Sequence, residues 1–212
     1  MSKITEVAEL IEKGKAKLVG AAVQAALDEG CDPVQILNEG MIETMSVVGE
    51  KFKNGEIFVP EMLVAARAMK KGVEVLKPYL ATGSTGALGK VIIATVAGDL
   101  HDIGKNLVAM MIESAGFEVI DLGVDVPASK VIECYRENPD TKIICLSALL
   151  TTTMPALKDT VAALNEEDFR GSIKIMVGGA PITQSFADEI GADGYSDDAA
   201  SAAILAKKLV AA

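Results

Sequence analysis

The chain of 212 residues has one histidine, His101, no tryptophan, and few other aromatics: five Phe and three Tyr. A single imidazole excludes a three-His zinc site and a two-His one-carboxylate iron site. The three cysteines, Cys31, Cys134 and Cys145, are scattered and contain no Cys-x-x-Cys pair. They make a poor disulfide framework and point to a reducing compartment. No unbroken apolar run is longer than Leu107 to Ile112, against about 20 residues for a membrane span. The first residues lack the apolar core of a signal peptide. Basic residues are also in deficit, 20 Lys and Arg against 30 Asp and Glu, for a net charge of −10. That charge repels phosphate backbones and anionic lipid surfaces. The expectation is a cytoplasmic protein with no nucleic-acid and no membrane partner.

Hydrophobic residues make up 50% of the chain, enough for a packed core, and the length suits one large domain or two small ones at roughly 150 residues per domain. Residues 1 to about 80 have a helical period throughout. Val34, Leu37, Met41, Met45, Val48 and Phe52 fall on one helix face, and Met62, Ala66, Met69, Val73, Leu76 and Leu80 on another. Asp32-Pro33 is a helix start, an N-cap acceptor followed by proline at the first helical position. Two shorter patterns, Ile4, Val7, Ala8, Ile11 and then Leu18, Ala22, Ala25, predict two earlier helices. Together these predict a four-helix bundle over 1–82. A Gly-, Ser- and Thr-rich stretch follows, read as a linker over 83–89. From Lys90 short apolar runs alternate with helical patterns: Val91–Ala97, Phe117–Asp121, Lys142–Ser147, Ile173–Val177 and a weaker fifth run at Gly194-Tyr195. Such alternation predicts a parallel sheet covered by helices, here five strands in a flavodoxin-like, Rossmann-like α/β domain over 90–212.

In open parallel sheets, ligands bind at the carboxyl ends of the strands. The first strand is followed by Gly98-Asp99-Leu100-His101-Asp102-Ile103-Gly104, the third ends in Ser147-Ala148-Leu149, and the fourth ends in Gly178-Gly179. The one histidine thus falls on the functional edge, two residues after an aspartate. A carboxylate that accepts one ring N–H fixes the tautomer and raises the basicity of the other nitrogen, which suits a base or a metal ligand. Ser147 lies within reach of that pair if the first and third strands are neighbours. Glycines at 178 and 179 allow a flat ligand or its tail to approach the backbone. In the helical half, Phe52, Ile57, Phe58 and Val59 put large apolar side chains around a turn, where polar residues are usual.

Asp99-x-His101-x-x-Gly104, Ser147-x-Leu149 and Gly178-Gly179, in this order, resemble the cobalamin-binding signature. Val48-Gly-Glu-Lys-Phe52 and the segment from Phe58 to Lys70 resemble the helical cap of methionine synthase. They resemble more closely the free-standing corrinoid proteins of methylamine, methanol and methoxyaromatic methyltransferase systems. The resemblance covers nearly the whole chain. It implies that His101 ligates the cobalt of cobalamin (methylcobalamin or cob(I)alamin) from below, that Asp99 hydrogen-bonds the imidazole, and that Ser147 extends the relay. It implies further that Gly98, Asp102, Ile103 and Gly104 line the same loop. The displaced nucleotide tail would pass Ser147, Leu149, Thr151, Gly178 and Gly179 towards Tyr195 and Asp198. Phe52 and Val59, with Met62 beside them, would shield the methyl face from the cap. A non-catalytic methyl carrier is implied. Its partners would be a substrate-specific methyltransferase, a second methyltransferase using tetrahydrofolate or coenzyme M, and a reductive activase. A mutase subunit and a cobalamin-based sensor share the sheet signature and stand as alternatives.

Overall fold

The computed structural model describes residues 2–80 and 88–211, apart from the side chains of Lys77 and Leu80. Most of the expected linker therefore lies outside the described residues. The chain folds as two compact units, one of Met1–Gly86 with Ser114–Gly116, the other of Ala87–Glu113 with Phe117–Ala212.

The helical unit runs α1 (Lys3–Glu12), α2 (Ala16–Asp28), α3 (Pro33–Gln35), a π-helical stretch (Ile36–Ile42), α4 (Glu43–Lys53) and α5 (Val59–Leu80). Because α3, the π stretch and α4 are continuous, these form the four expected rods. The Asp32 side chain caps α3 by accepting the Gln35 N–H at 3.1 Å, with Pro33 at the first position. Two details differ from the sequence pattern. Leu18 is 55% exposed, and α2 instead buries Val19, Ala22, Val23 and Ala26. Those four stand at steps of three and four, a stripe that keeps the predicted Ala22 but takes Val19 and Ala26 in place of Leu18 and Ala25. Val34 is also exposed. It precedes the π stretch, whose wider turn rotates the helix face, and Ile36 is buried in its place. Gly72 allows close helix approach, since a Cβ there would lie 2.6 Å from Met41 Cε and 2.9 Å from Val19 Cγ1.

The second unit is a five-stranded parallel sheet: β1 (Lys90–Thr95), β2 (Glu118–Asp121), β3 (Thr141–Ser147), β4 (Lys174–Gly178) and β5 (Gly194–Tyr195). The strand order is β2-β1-β3-β4-β5, the flavodoxin-like order expected. The connecting helices are α6 (Ile103–Ser114), α7 (Ala128–Glu137), α8 (Met154–Asn165), α9 (Gln184–Ile190) and α10 (Ala199–Ala211). β1 and β3 are central and almost wholly buried, which explains their continuous Val, Ile and Leu runs. Around them pack Val131, Leu157, Val161, Leu164 and Ile182 from the helices and loops. β1 pairs with β3 through Thr95 and Ser147 at their carboxyl ends. The chain leaves these two strands in opposite directions, so a crevice opens between them.

Candidate functional site

The loop between β1 and α6 places His101 in that crevice. Gly98 has φ of 80° and turns the chain back after β1. Asp99 is fully buried, and four donors surround its carboxylate. Oδ1 accepts the His101 backbone N–H at 3.1 Å and pairs with the His101 ring at Nδ1, 2.7 Å away. Oδ2 accepts the Leu149 N–H at 2.7 Å and the Thr153 hydroxyl at 2.8 Å. Burial alone would push this carboxyl up. The bonds from Leu149, His101 and Thr153 outweigh it and hold Asp99 well below the usual carboxylate range.

An ionised Asp99 accepts hydrogen bonds only, so the proton between the two residues sits on His101 Nδ1. In the neutral ring Nε2 is then the nitrogen that carries the lone pair, and it has no hydrogen-bond partner among the described residues, on a ring that is 49% exposed. Among the described residues, no three His, Cys, Asp or Glu side chains gather into a metal-binding group. The surroundings of the ring are apolar and open. Leu100 is 72% exposed and Ile103 84%. Leu149 and Leu150 are exposed as well. Burial of each such side chain under a ligand is worth about 1.5–3 kcal/mol. A Cβ at Gly104 would meet no atom within 4 Å. At the end of β4, Gly179 has φ of 122°, and a Cβ there would lie 1.9 Å from the Ala148 carbonyl oxygen. A single outward imidazole, an apolar rim and a glycine-lined edge fit a large flat macrocycle that needs one axial donor.

The relay differs from the expectation in one member. Ser147 does not touch Asp99. Its hydroxyl lies 2.9 Å from Thr95 Oγ1. Thr95 gives its one proton to the His101 carbonyl, 2.9 Å away, so Ser147 is the donor of that pair. The hydroxyl on Asp99 belongs to Thr153, which sits at the start of α8 and aims inward, whereas Ser147 ends a strand beside Thr95. Sequence reasoning passed over Thr153, in the run Thr151-Thr-Thr153, because nothing in that run distinguishes the inward threonine.

Asp102 accepts the Asn106 amide at the start of α6. Thr151 is exposed. Gly178 lies against the Ser196 carbonyl, 3.1 Å from where its Cβ would stand. Tyr195 is half-buried against the sheet core. Asp198 caps α10, accepting the Ser201 N–H at 2.8 Å and hydroxyl at 2.6 Å. In the helical unit Phe52 is half-buried, and Phe58 and Val59 are exposed. Met62 is fully buried, contrary to the expectation that it faces the cofactor. It stands with Ala65, Ala66 and Met69 on the inward stripe of α5, at steps of three and four. Asp125 was also missed, in the run Leu122-Gly-Val-Asp-Val-Pro127 after β2. Its carboxylate accepts the Gly98 N–H at 2.7 Å.

Comparison with known proteins matches residues 89–204 and residues 4–77 to two B12 binding domain models. The chain belongs to the B12-binding corrinoid proteins of methyltransferase systems. It is 44% identical to dimethylamine corrinoid protein 1 of Methanosarcina acetivorans, covering 98% of this chain and 97% of that one. It is 45% identical to trimethylamine corrinoid protein 2 of the same organism, over 92% and 93%. Among solved structures, the methanol:cobalamin methyltransferase complex MtaBC of Methanosarcina barkeri matches with a TM-score of 0.84 and 32% identity, covering 99% of this chain and 80% of that one. A cobalamin-binding protein of Desulfitobacterium hafniense matches with a TM-score of 0.79 and 32% identity, over 97% and 98%. The cofactor of this family is cobalamin, and the chain is a corrinoid subunit rather than a catalyst by itself. Among the described residues no helix is long and apolar enough to cross a membrane.

Proposed function

We propose that this corrinoid subunit binds cobalamin with the nucleotide base displaced and His101 Nε2 as lower ligand, and carries a methyl group between two methyltransferases. The observation that carries the reading is the 2.7 Å contact of His101 Nδ1 with buried Asp99, which leaves Nε2 free and outward. Bound there, the cobalt of the corrin supplies a centre that takes up and gives back a methyl group.

The chain's own part is positional. Asp99 fixes the tautomer and aim of the ring, and Leu149 and Thr153 fix Asp99. Nε2 can carry a proton or donate its lone pair, but not both, so proton uptake and ligation exclude one another at that atom. Leu100, Ile103, Leu149 and Leu150 keep water from the lower face. The displaced tail follows Ser147, Leu149, Thr151, Gly178 and Gly179 towards Tyr195 and Asp198. Phe52 and Val59 of the helical unit shield the methyl group. The similarity to dimethylamine and trimethylamine corrinoid proteins makes a methylamine methyltransferase the first donor enzyme to test. Delivery runs to a second methyltransferase acting on tetrahydrofolate or coenzyme M, with a reductive activase restoring oxidised cofactor.

The test is reconstitution of the wild type and His101→Ala with cobalamin. The expected result is a spectrum with the base displaced and imidazole bound in the wild type, and with no lower nitrogen ligand in the variant. Identical spectra would overturn the reading.

A further inference from the structure

We infer that Asp125, in the loop after β2, is a positioning residue for the lower-ligand loop. The inference rests on the reading of His101 as lower ligand. Among the described residues Asp125 is the one non-glycine with positive φ, at 54°. Aspartate tolerates that region better than most residues, but still at a cost, so a compensating contact is expected there. Two contacts are present. Asp125 Oδ1 accepts the Gly98 N–H at 2.7 Å, and the Asp125 N–H donates to the Asp99 carbonyl at 2.9 Å. One residue therefore grips both sides of the Gly98-Asp99 segment, and the left-handed turn at 125 is what aims both groups at it. On either side, the Gly123 carbonyl accepts the Thr95 N–H at 3.0 Å and the Val126 N–H donates to the Thr95 carbonyl at 3.0 Å.

The consequence for the site is geometric. The Asp99 carboxylate orients His101, and its own direction is set by the backbone that carries it. Thr153 and Leu149 hold the carboxylate, and Asp125 holds the main chain at the same residue. The hydrogen bonds of Asp125 go to the Gly98 N–H and the Asp99 carbonyl, so it acts through Asp99.

The experiment uses the single histidine. With 15N-histidine labelling, only His101 carries the label. Protein reconstituted with cob(II)alamin should show electron-spin-resonance splitting into a 15N doublet when His101 is bound. Long-range 1H–15N spectra of the apoprotein report the Nδ1–H tautomer of the same ring. Asp125→Gly keeps the backbone freedom and deletes the acceptor. The expected result is a fall of at least about tenfold in the ratio of imidazole-bound to unbound cobalt, the scale of one lost hydrogen bond to a charged acceptor, and a weakened Nδ1–H preference. Asp125→Asn keeps an acceptor and tolerates positive φ, and should rescue both signals.

A folded Asp125→Gly protein with wild-type signals overturns the inference. A wild type without the doublet overturns the lower-ligand reading instead, and the apoprotein tautomer then decides the role of Asp125. If Asp125→Gly does not fold, amide exchange in the wild type decides. Protection of the Gly98 N–H comparable to β1 supports the inference, and exchange at an unprotected rate overturns it.

Discussion

Thr153 and Asp99 are fifty-four residues apart in the chain, yet the Thr153 hydroxyl donates to Asp99 Oδ2 at 2.8 Å. Both residues are buried, so this bond joins the start of α8 to the loop after β1 where water cannot substitute. Thr153→Val keeps the shape and removes the donor. The expected loss is about 1–3 kcal/mol, with a lower fraction of imidazole-bound cofactor in the same protein. Thr153→Ser should restore both. Urea unfolding and the cofactor spectrum check this, and equal values for the valine and serine variants would sink it.

The four donors on Asp99 make the fold acid-sensitive in a defined window. Its carboxyl is held below the usual range, while in the unfolded chain it takes a proton near pH ~4. The unfolded state therefore binds more protons below that value. The contribution of Asp99 is complete above about pH 4 and is lost as pH falls towards the depressed native value. Urea midpoints from about pH 7 down to about pH 3 should drop more steeply for wild type than for Asp99→Asn. Parallel curves would refute the assignment.

Cysteine reactivity separates the thiols. Cys145 is buried in β3, and burial pushes its thiol up to about 12. At pH ~8 it holds about a thousandfold less thiolate than an ordinary thiol near 8.5. Alkylation of the native protein should leave Cys145 unmodified while half-buried Cys31 reacts, and urea should abolish the difference. Early modification at Cys145, read by peptide mass mapping, would contradict the burial.

The strand pattern and the three motifs were legible because each rests on local chemistry. Continuous β-branched runs mark strands buried on both faces, and the glycines sit where the backbone needs them, as at Gly179. The partners of Asp99 were legible only in part. The Leu149 and Thr153 donors reach it across fifty residues and more, and sequence spacing carries no information on which hydroxyl of a threonine run points inward. Ser147 was chosen for that role because adjacent central strands end together. They do, but the side chain it meets there is Thr95. In the helical half the 3.6-residue period located four rods and most of their buried faces, as at Val7 and Ile11, at Leu37, Met41, Met45 and Val48, and at Met62, Ala66, Met69 and Leu76; the exposed exceptions are Leu18 and Val34. A π stretch shifts the face within the third rod, and at Leu18 the next residue along heads the better stripe. At Met62 the period and the resemblance pointed different ways: the stripe shared with Ala66 and Met69 placed it inward, where it is buried, and only the resemblance turned it towards the cofactor.

Two glycine substitutions distinguish a residue needed by the fold from one needed by the ligand. Gly179 has φ of 122°, and a Cβ would strike the Ala148 carbonyl oxygen at 1.9 Å. That neighbour is backbone and cannot rotate away, so Gly179→Ala must move the end of β3 or β4. The left-handed conformation alone costs about 1–3 kcal/mol, and the apoprotein should be destabilised by at least that much. Gly104 lies in the first turn of α6 with nothing near its missing Cβ. Alanine there improves helix propensity by up to about 1 kcal/mol, so apo Gly104→Ala should be as stable as wild type or slightly more so. Its methyl group projects into open space, and with the corrin resting over this turn cobalamin affinity should fall about tenfold or more. Urea unfolding of the apoproteins with cobalamin titration of the folded ones measures both effects. A destabilised Gly104→Ala with unchanged affinity would show that the open space is not where the corrin rests.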